Sequence, residues 1–227
     1  MNAFLAIDGE QEISNQLTDQ ITLETDLELV SLIGKGAIES GNRGYFSVRP
    51  GYELSNVDPV NGTATFTHNS NYAIQDRPSW FRNIGVPMQK ISNMIHMKTG
   101  KGGANFAIVS PTLATVLETI EGFVANTDGT SEWIEAGFTQ VGTFRNRYRI
   151  YKNPYSVADN MMIMGYRGTG FLDFGAAYCP YIPLIMLPNI MEPTNLTPTK
   201  GVYTRYAKTM LRKDYYGALF VEGLETV

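Results

Sequence analysis

Phe106-Ala107-Ile108-Val109-Ser110-Pro111-Thr112-Leu113-Ala114-Thr115-Val116-Leu117-Glu118-Thr119-Ile120 is the stretch that decides the fold class, because two periodicities meet in it. Its first four residues are apolar and include two β-branched side chains, which predicts a buried strand. Ser110 then offers a hydroxyl to the unsatisfied N–H groups of a helix start, and Pro111 fits the first helical position, where an N–H is not needed. Leu113, Val116, Leu117 and Ile120 follow at helical spacing, with Gly122 near the end. A strand running straight into an amphipathic helix, among further strands and helices, predicts the α+β class.

Working upstream, Ile84, Met88, Ile91 and Ile95 make one stripe of a helix over residues 80–98, which Gly100 stops. Pro87 lies inside that pattern, so a kink or a break is expected there. Residues 40–77 are short and punctuated by Gly41, Gly44, Pro50, Gly51, Pro59 and Gly62. Tyr45-Phe46-Ser47-Val48 and Thr63-Ala64-Thr65-Phe66-Thr67 read as strands, the second following an Asn61-Gly62 turn. At the front, Ile13, Leu17, Ile21, Leu27 and Val30 predict one continuous helix over residues 10–33, capped near Asp8 and ended by Gly34 and Gly36. Glu24 and Glu28 occupy its more polar positions.

Downstream, strands are expected at residues 148–151, 161–164 and 171–178. Pro180, Pro183, Pro188, Pro193 and Pro198 then impose an extended segment that cannot be helical. Two last strands are expected at residues 202–211 and 216–221. There is no internal repeat and no low-complexity segment.

The chain has 227 residues, 43% hydrophobic, 18% charged and 11% aromatic. A low charged fraction beside many aromatics points to surface that a partner covers. No stretch approaches the roughly 18–20 apolar residues of a membrane-spanning helix, and residues 1–10 lack the basic start and apolar run of a signal peptide. The lone Cys179 excludes an intrachain disulfide, fits a reducing cytoplasm, and in its apolar context reads as a small buried packing residue. Charge is distributed unevenly. Asp8, Glu10, Glu12, Asp19, Glu24, Asp26, Glu28, Glu39, Glu53 and Asp58 face only Lys35, Arg43 and Arg49 in residues 1–60, whereas the balance is basic beyond residue 140. Two solvated surfaces, or head-to-tail contacts between copies, both account for this.

The chemistry of catalysis is sparse. His68 and His96 are far apart and make no metal-ligand spacing with the single cysteine. Asp8, Glu10 and Glu12 alternate as in a calcium loop but lack its glycine and closing glutamate. Gly34-Lys35-Gly36 and Gly100-Lys101-Gly102 lack the Ser or Thr and the spaced glycine of a P-loop, and read as turns after helices. Asn61-Gly62-Thr63 and Asn195-Leu196-Thr197 match glycosylation sequons without a secretion signal. Arg145, Arg147, Arg149 and Tyr151 would share one face if they lay on one strand, either a solvated or subunit-facing strand or a nucleic-acid stripe. No catalytic, cofactor-binding or metal residue is assigned, and no cofactor is expected.

Several segments carry a resemblance. Thr99-Gly100-Lys101-Gly102-Gly103-Ala104-Asn105-Phe106-Ala107-Ile108-Val109-Ser110 resembles the helix-to-strand segment of major capsid proteins of T-even-like tailed bacteriophages. Arg147-Tyr148-Arg149-Ile150-Tyr151, Met164-Gly165-Tyr166-Arg167-Gly168, Ala177-Tyr178-Cys179-Pro180-Tyr181-Ile182-Pro183-Leu184 and Gly201-Val202-Tyr203-Thr204-Arg205-Tyr206 look like the same family in the same order. The acidic first helix is similar to that family's spine helix. The resemblance implies the Hong Kong 97-type capsid fold, with a peripheral domain in residues 1–78 that carries the spine helix (10–33). It further implies an axial domain in residues 79–192 and return strands to the peripheral domain in residues 193–227. An N-terminal arm and extended loop, which precede the spine helix in that family, are expected to be missing, so that the chain is a fragment or another chain supplies them.

The implied function is structural and non-enzymatic: self-assembly into hexamers of an icosahedral phage head enclosing DNA. The implied partners are copies of the chain, with vertex, scaffold and decoration proteins, and packaged DNA by non-specific contact only. It would reside in the virion after assembly in the bacterial host cytoplasm. A pentameric vertex protein or an encapsulin-like compartment shell would share the fold, and a small α+β enzyme is the alternative from another class.

Overall fold

The computed structural model describes the chain except for residues 1–8, 59–63, 71–75, 127–137, 157–159, 171, 189, 192, 195–197 and 225–227. The Asp8 cap, the Asn61-Gly62 turn, the second sequon and Phe171 therefore lie outside the described residues. Two compact units form, one of Met1–Leu32 with Ala176–Thr209, the other of Ile33–Gly175 with Met210–Val227.

The first helix, α1, runs Gly9–Glu39 without interruption, several residues further than its pattern predicts. Gly34 and Gly36 do not end it. Each glycine inside a helix costs about 1 kcal/mol relative to alanine, and here tertiary packing offsets that. A Cβ on Gly36 would stand 2.4 Å from Met210 Cε, and Ala37 beside it is fully buried. Termination comes at Ser40 instead. Its N–H donates to Gly36 O (2.9 Å) and its hydroxyl to Ala37 O (2.8 Å), Arg43 donates to Ile38 O, and Lys98 Nζ donates to Ser40 O at 2.6 Å. The last carbonyls of the helix are thus satisfied, and Gly41 (φ +73°) turns the chain away.

The second unit is built on a seven-stranded mixed sheet. Its members are β1 (Arg43–Ser47), β4 (Phe106–Val109), β5 (Phe123–Ala125), β6 (Thr139–Phe144), β7 (Tyr148–Lys152), β8 (Met161–Gly165) and β13 (Tyr216–Glu222), in the order β1-β13-β8-β4-β7-β6-β5. Pairing is parallel for β1 with β13 and for β4 with β7, and antiparallel at the remaining junctions. A hairpin of β2 (Tyr52–Val57) and β3 (Ala64–His68) forms its own two-stranded sheet. The strands β2, β5 and β6 were not apparent in the sequence.

The predicted helix over residues 80–98 is divided. A short α2 (Arg77–Phe81) passes through a 3₁₀ turn (Arg82–Ile84) into α3 (Gly85–Thr99). The break precedes Pro87, which sits in the first turn of α3, where its missing N–H leaves no hydrogen bond unmade. The stripe itself is right: Ile84, Met88, Ile91 and Ile95 are all fully buried. Ile91 enters a slot lined by two glycines on adjoining strands. A Cβ on Gly44 would lie 2.9 Å from Ile91 Cδ1, and one on Gly217 would lie 2.5 Å from Ile91 Cγ2. Helix α4 (Pro111–Glu118) begins as predicted, Ser110 Oγ accepting the Leu113 N–H at 3.3 Å. It buries Leu113, Val116 and Leu117 in the same core as Trp80, Phe144, Ile150, Met162 and Leu219.

In the first unit, β9 (Ala176–Met186) pairs with β12 (Val202–Met210), and the short strands β10 (Ile190–Met191) and β11 (Pro198–Thr199) extend the turn between them. Thr204 Oγ1 donates to Ile182 O and Leu187 N to Gly201 O, so the two long strands run antiparallel. The strand expected at residues 171–178 is instead β9, which starts at Ala176 and runs through Pro180 and Pro183. A two-stranded ribbon tolerates both, because each strand is an edge strand. The expected boundaries at residues 79 and 193 are also not where the compact units part. Strand β1, from before residue 79, and β13, from after 193, pair with each other inside the large sheet.

Candidate assembly surfaces

Segments 99–110, 147–151 and 164–168, separate in sequence, are brought together by the sheet of the second unit. Gly100, in the left-handed conformation (φ +66°), ends α3 by donating its N–H to His96 O at 2.8 Å. Gly-Lys-Gly here is a helix stop, as read from the sequence. Gly102 and Gly103 are required by close approach, since Cβ atoms there would stand 2.5 Å from Tyr166 Cε2 and 2.4 Å from Ser92 Oγ. Asn105 then acts as an extra rung beside β4. Its side-chain amide donates to Arg167 O (2.6 Å) while its Oδ1 accepts the Arg167 N–H (3.1 Å). Lys101 pairs with Asp173, which holds its ammonium pKa above the ordinary lysine value. The loop around Asp173 is fixed by its own backbone, Gly168 N–H donating to Asp173 O and Asp173 N–H to Gly170 O.

The basic run is not a stripe. Arg145 and Asn146 have positive φ (50° and 53°), and residues 145–147 make the turn between β6 and β7. Arg145 lies over the Phe144 ring at 5.3 Å. Arg147 donates to Gln89 Oε1 (3.1 Å) and to the buried Ser92 Oγ (3.0 Å), and lies over Tyr148, whose hydroxyl also donates to Gln89. Arg147 thus ties the β6–β7 turn to α3. Of the four residues, Arg149 and Tyr151 are on β7, so the single basic face expected for a nucleic-acid stripe does not form.

The first unit presents a different surface. One side of the β9–β12 ribbon meets α1: Tyr206 hydroxyl donates to Glu28 Oε2 at 2.8 Å and Lys208 Nζ pairs with the same carboxylate. Those two donors, Lys208 first, hold Glu28 below its ordinary carboxylate pKa, while Glu28 raises the Tyr206 phenol. Asp26, on the same helix, is pushed up by partial burial. Tyr178, beside Tyr206 (ring centroids 5.2 Å apart), is on this helix-facing side.

By strand alternation the other side carries Cys179, Tyr181, Ile185, Tyr203 and Arg205, and Leu187 joins them against Gly201. Tyr181 is 77% exposed, and Ile185, Leu187 and Tyr203 are each between 37% and 40% exposed. Cys179 is exposed, not buried as its apolar context suggested. Its neighbours Tyr178 and Pro180 point to the opposite side of the strand, and among the described residues Cys179 itself stays exposed. Sequence reading missed the surface, although a signal was present: residues 174–191 contain no charged side chain at all.

His68 is exposed on β3, edge-on to Tyr52 (centroids 5.3 Å), and His96 is exposed on α3. Gly34-Lys35-Gly36 lies within α1 and is not a turn. Among the described residues no group of three His, Cys, Asp or Glu is arranged to hold a metal, and no helix is long and apolar enough to cross a membrane.

A long acidic helix, a mixed sheet and a ribbon with an exposed apolar side are the features that comparison with known proteins has to account for. The family of major capsid protein Gp23 matches residues 1–226, and the chain belongs to that family. Among curated relatives, the major capsid protein of Vibrio phage KVP40 is 25% identical over 255 aligned positions, covering 99% of this chain and 47% of the relative. That of Enterobacteria phage T4 is 27% identical over 213 positions, covering 91% and 38%, and that of Serratia phage KSP90 is 31% identical over 120, covering 51% and 26%. The chain thus spans less than half the length of these relatives. Among solved structures, a Mycobacterium phage Patience protein aligns with 96% of this chain and 67% of its own at 11% identity and a TM-score of 0.37. The putative capsid protein of an E. coli CFT073 prophage aligns with 66% and 49% at 9% identity and a TM-score of 0.36. Structural likeness at that level carries no weight for the fold.

Proposed function

We propose that the chain is a structural, non-catalytic subunit of a phage head, self-associating in hexamers that tile an icosahedral shell around DNA. The observation that carries this reading is the family match over residues 1–226, and the relatives named above are major capsid proteins, which favours the hexamer over the pentameric vertex. The apolar side of the β9–β12 ribbon, exposed among the described residues, supports it, since a two-stranded ribbon is marginal alone and gains from being covered. The fold is read as the Hong Kong 97 type. Its peripheral domain corresponds to the unit with most of α1 and the ribbon, and its axial domain to the unit with the seven-stranded sheet. Vertex, scaffold and decoration proteins are the further partners, DNA is touched only non-specifically, and assembly takes place in the host cytoplasm before the protein resides in the virion. Electron microscopy of the protein co-expressed with its scaffold tests this. Hexameric rings or shells containing the chain sustain the reading, and its absence from every assembled particle refutes it.

A further inference from the structure

We infer that the outward side of the β9–β12 ribbon seats the first turns of α1 from a second copy, Glu12 of that copy meeting Arg205. This rests on the capsid reading and deepens it by naming the two faces that meet. Two unsatisfied features of one chain carry the inference. Among the described residues of the ribbon's outward side the exposed Arg205 is the one charged side chain, set among apolar residues and Thr209, and it makes no ion pair with a described residue. The early part of α1 displays Ile13, 58% exposed, beside the exposed Glu12, with Leu17 one turn on. Residues 9–32 contain six carboxylates (Glu10, Glu12, Asp19, Glu24, Asp26 and Glu28) and no Lys or Arg. Glu12 therefore finds no cation within reach on its own helix, where Lys35 lies more than six turns further on. The chain cannot make this contact with itself at the same place, because its own α1 packs on the opposite side of the ribbon through Glu28 and Tyr206.

An apolar side chain with a flanking carboxylate matches an apolar face with one cation in both shape of chemistry and sign of charge. The contact joins two different patches, so it is heterologous and propagates from copy to copy instead of closing on a pair.

Charge reversal and cross-linking test it on the intact chain. Arg205→Glu and Glu12→Arg are each expected to weaken self-association about tenfold, as loss of an ion pair plus a like-charge contact requires, measured by sedimentation equilibrium. The double variant is expected to recover most of the loss, which also shows that neither change acts by unfolding. Ile13→Cys, beside native Cys179, is expected to give a ladder of disulfide-linked multimers on mild oxidation, and Ile13→Cys with Cys179→Ser no ladder. Single reversals without effect, no recovery in the double variant, or dimers linked through Cys179 alone would each overturn this contact. Shells that still assemble in that case leave the capsid reading standing, whereas exclusion of the chain from shells removes that reading itself.

Discussion

Ile91 is the plug on which α3 and the β1–β13 pair close, and the energetics of its slot can be worked from the distances. Ile91→Ala removes three carbons from a fully buried site. At about 0.8 kcal/mol per buried methylene the transfer loss is roughly 2.4 kcal/mol, and the cavity left behind raises the expected cost to about 3–4 kcal/mol. Gly217→Ala acts in the opposite sense. Its new methyl would stand 2.5 Å from Ile91 Cγ2 and 2.9 Å from the backbone oxygen of Asn42. Overpacking of this kind costs about 1–3 kcal/mol, reduced by the few tenths to 1 kcal/mol by which alanine stiffens the unfolded chain. In the double variant Cγ2 is gone and the methyl enters part of the void, so the two costs fall short of their sum by about 1–2 kcal/mol. The Asn42 oxygen remains in the way, so the cost of Gly217→Ala does not vanish. For Gly44→Ala the nearest atoms are all side-chain carbons of Ile91 and Leu219, with no backbone oxygen among them, so it should cost less than Gly217→Ala. Urea unfolding followed by tryptophan fluorescence, to which the buried Trp80 contributes, measures the four variants against the wild type. Additivity within about 0.3–0.5 kcal/mol would mean that the two sites are independent and that Ile91 does not fill the slot.

Ser110→Ala removes the N-cap of α4 and should cost about 1 kcal/mol in the same assay; no loss would mean that Pro111 alone sets the helix start. Gly34→Ala should stabilise by up to about 1 kcal/mol, because its Cβ would meet Ile163 Cδ1 at an ordinary 3.4 Å while helix propensity improves; destabilisation would show the approach to be tighter. Glu28, with its pKa lowered by Lys208 and Tyr206, contributes stability above the ordinary carboxylate value of 4.5 and loses it as pH falls through the depressed pKa. Glu28→Gln should flatten that acid limb, and an unchanged pH profile would remove the clamp from the account. Cys179 should react readily with a thiol reagent in the free chain and slowly in assembled particles, equal rates placing the ribbon's outward side away from any interface.

Much of the second unit was legible because its patterns are local. Ser110-Pro111 announces a helix start chemically, and the stripes of α3 and α4 obey one period each. What escaped depended on neighbours far away in sequence. Gly34 and Gly36 read as stops because propensity sees only the helix, while Met210 decides the outcome at Gly36. Arg145 and Arg147 alternate as strand residues should, yet the positive φ of Arg145 and Asn146 makes them a turn, and nothing in an arginine announces that. Cys179 was misplaced because an apolar neighbourhood predicts burial only if the protein covers it with its own residues. The ribbon is apolar, partly uncovered, and for that reason the most informative surface on the chain.

The position of β13 has a consequence for the order of events at the ribosome. Residues 216–222 lie between β1 and β8, pairing with residues 43–47 on one side and 161–165 on the other. Until that late segment has emerged from the exit tunnel, the sheet has a missing inner strand, β1 has no hydrogen-bonded neighbour in it, and the slot for Ile91 lacks Gly217. Long-range pairing of this kind is slow and comes only after the intervening loop has been closed entropically. The N-terminal strands of this unit therefore cannot complete the sheet by themselves, and β1 and Ile91 depend on a strand far along the chain.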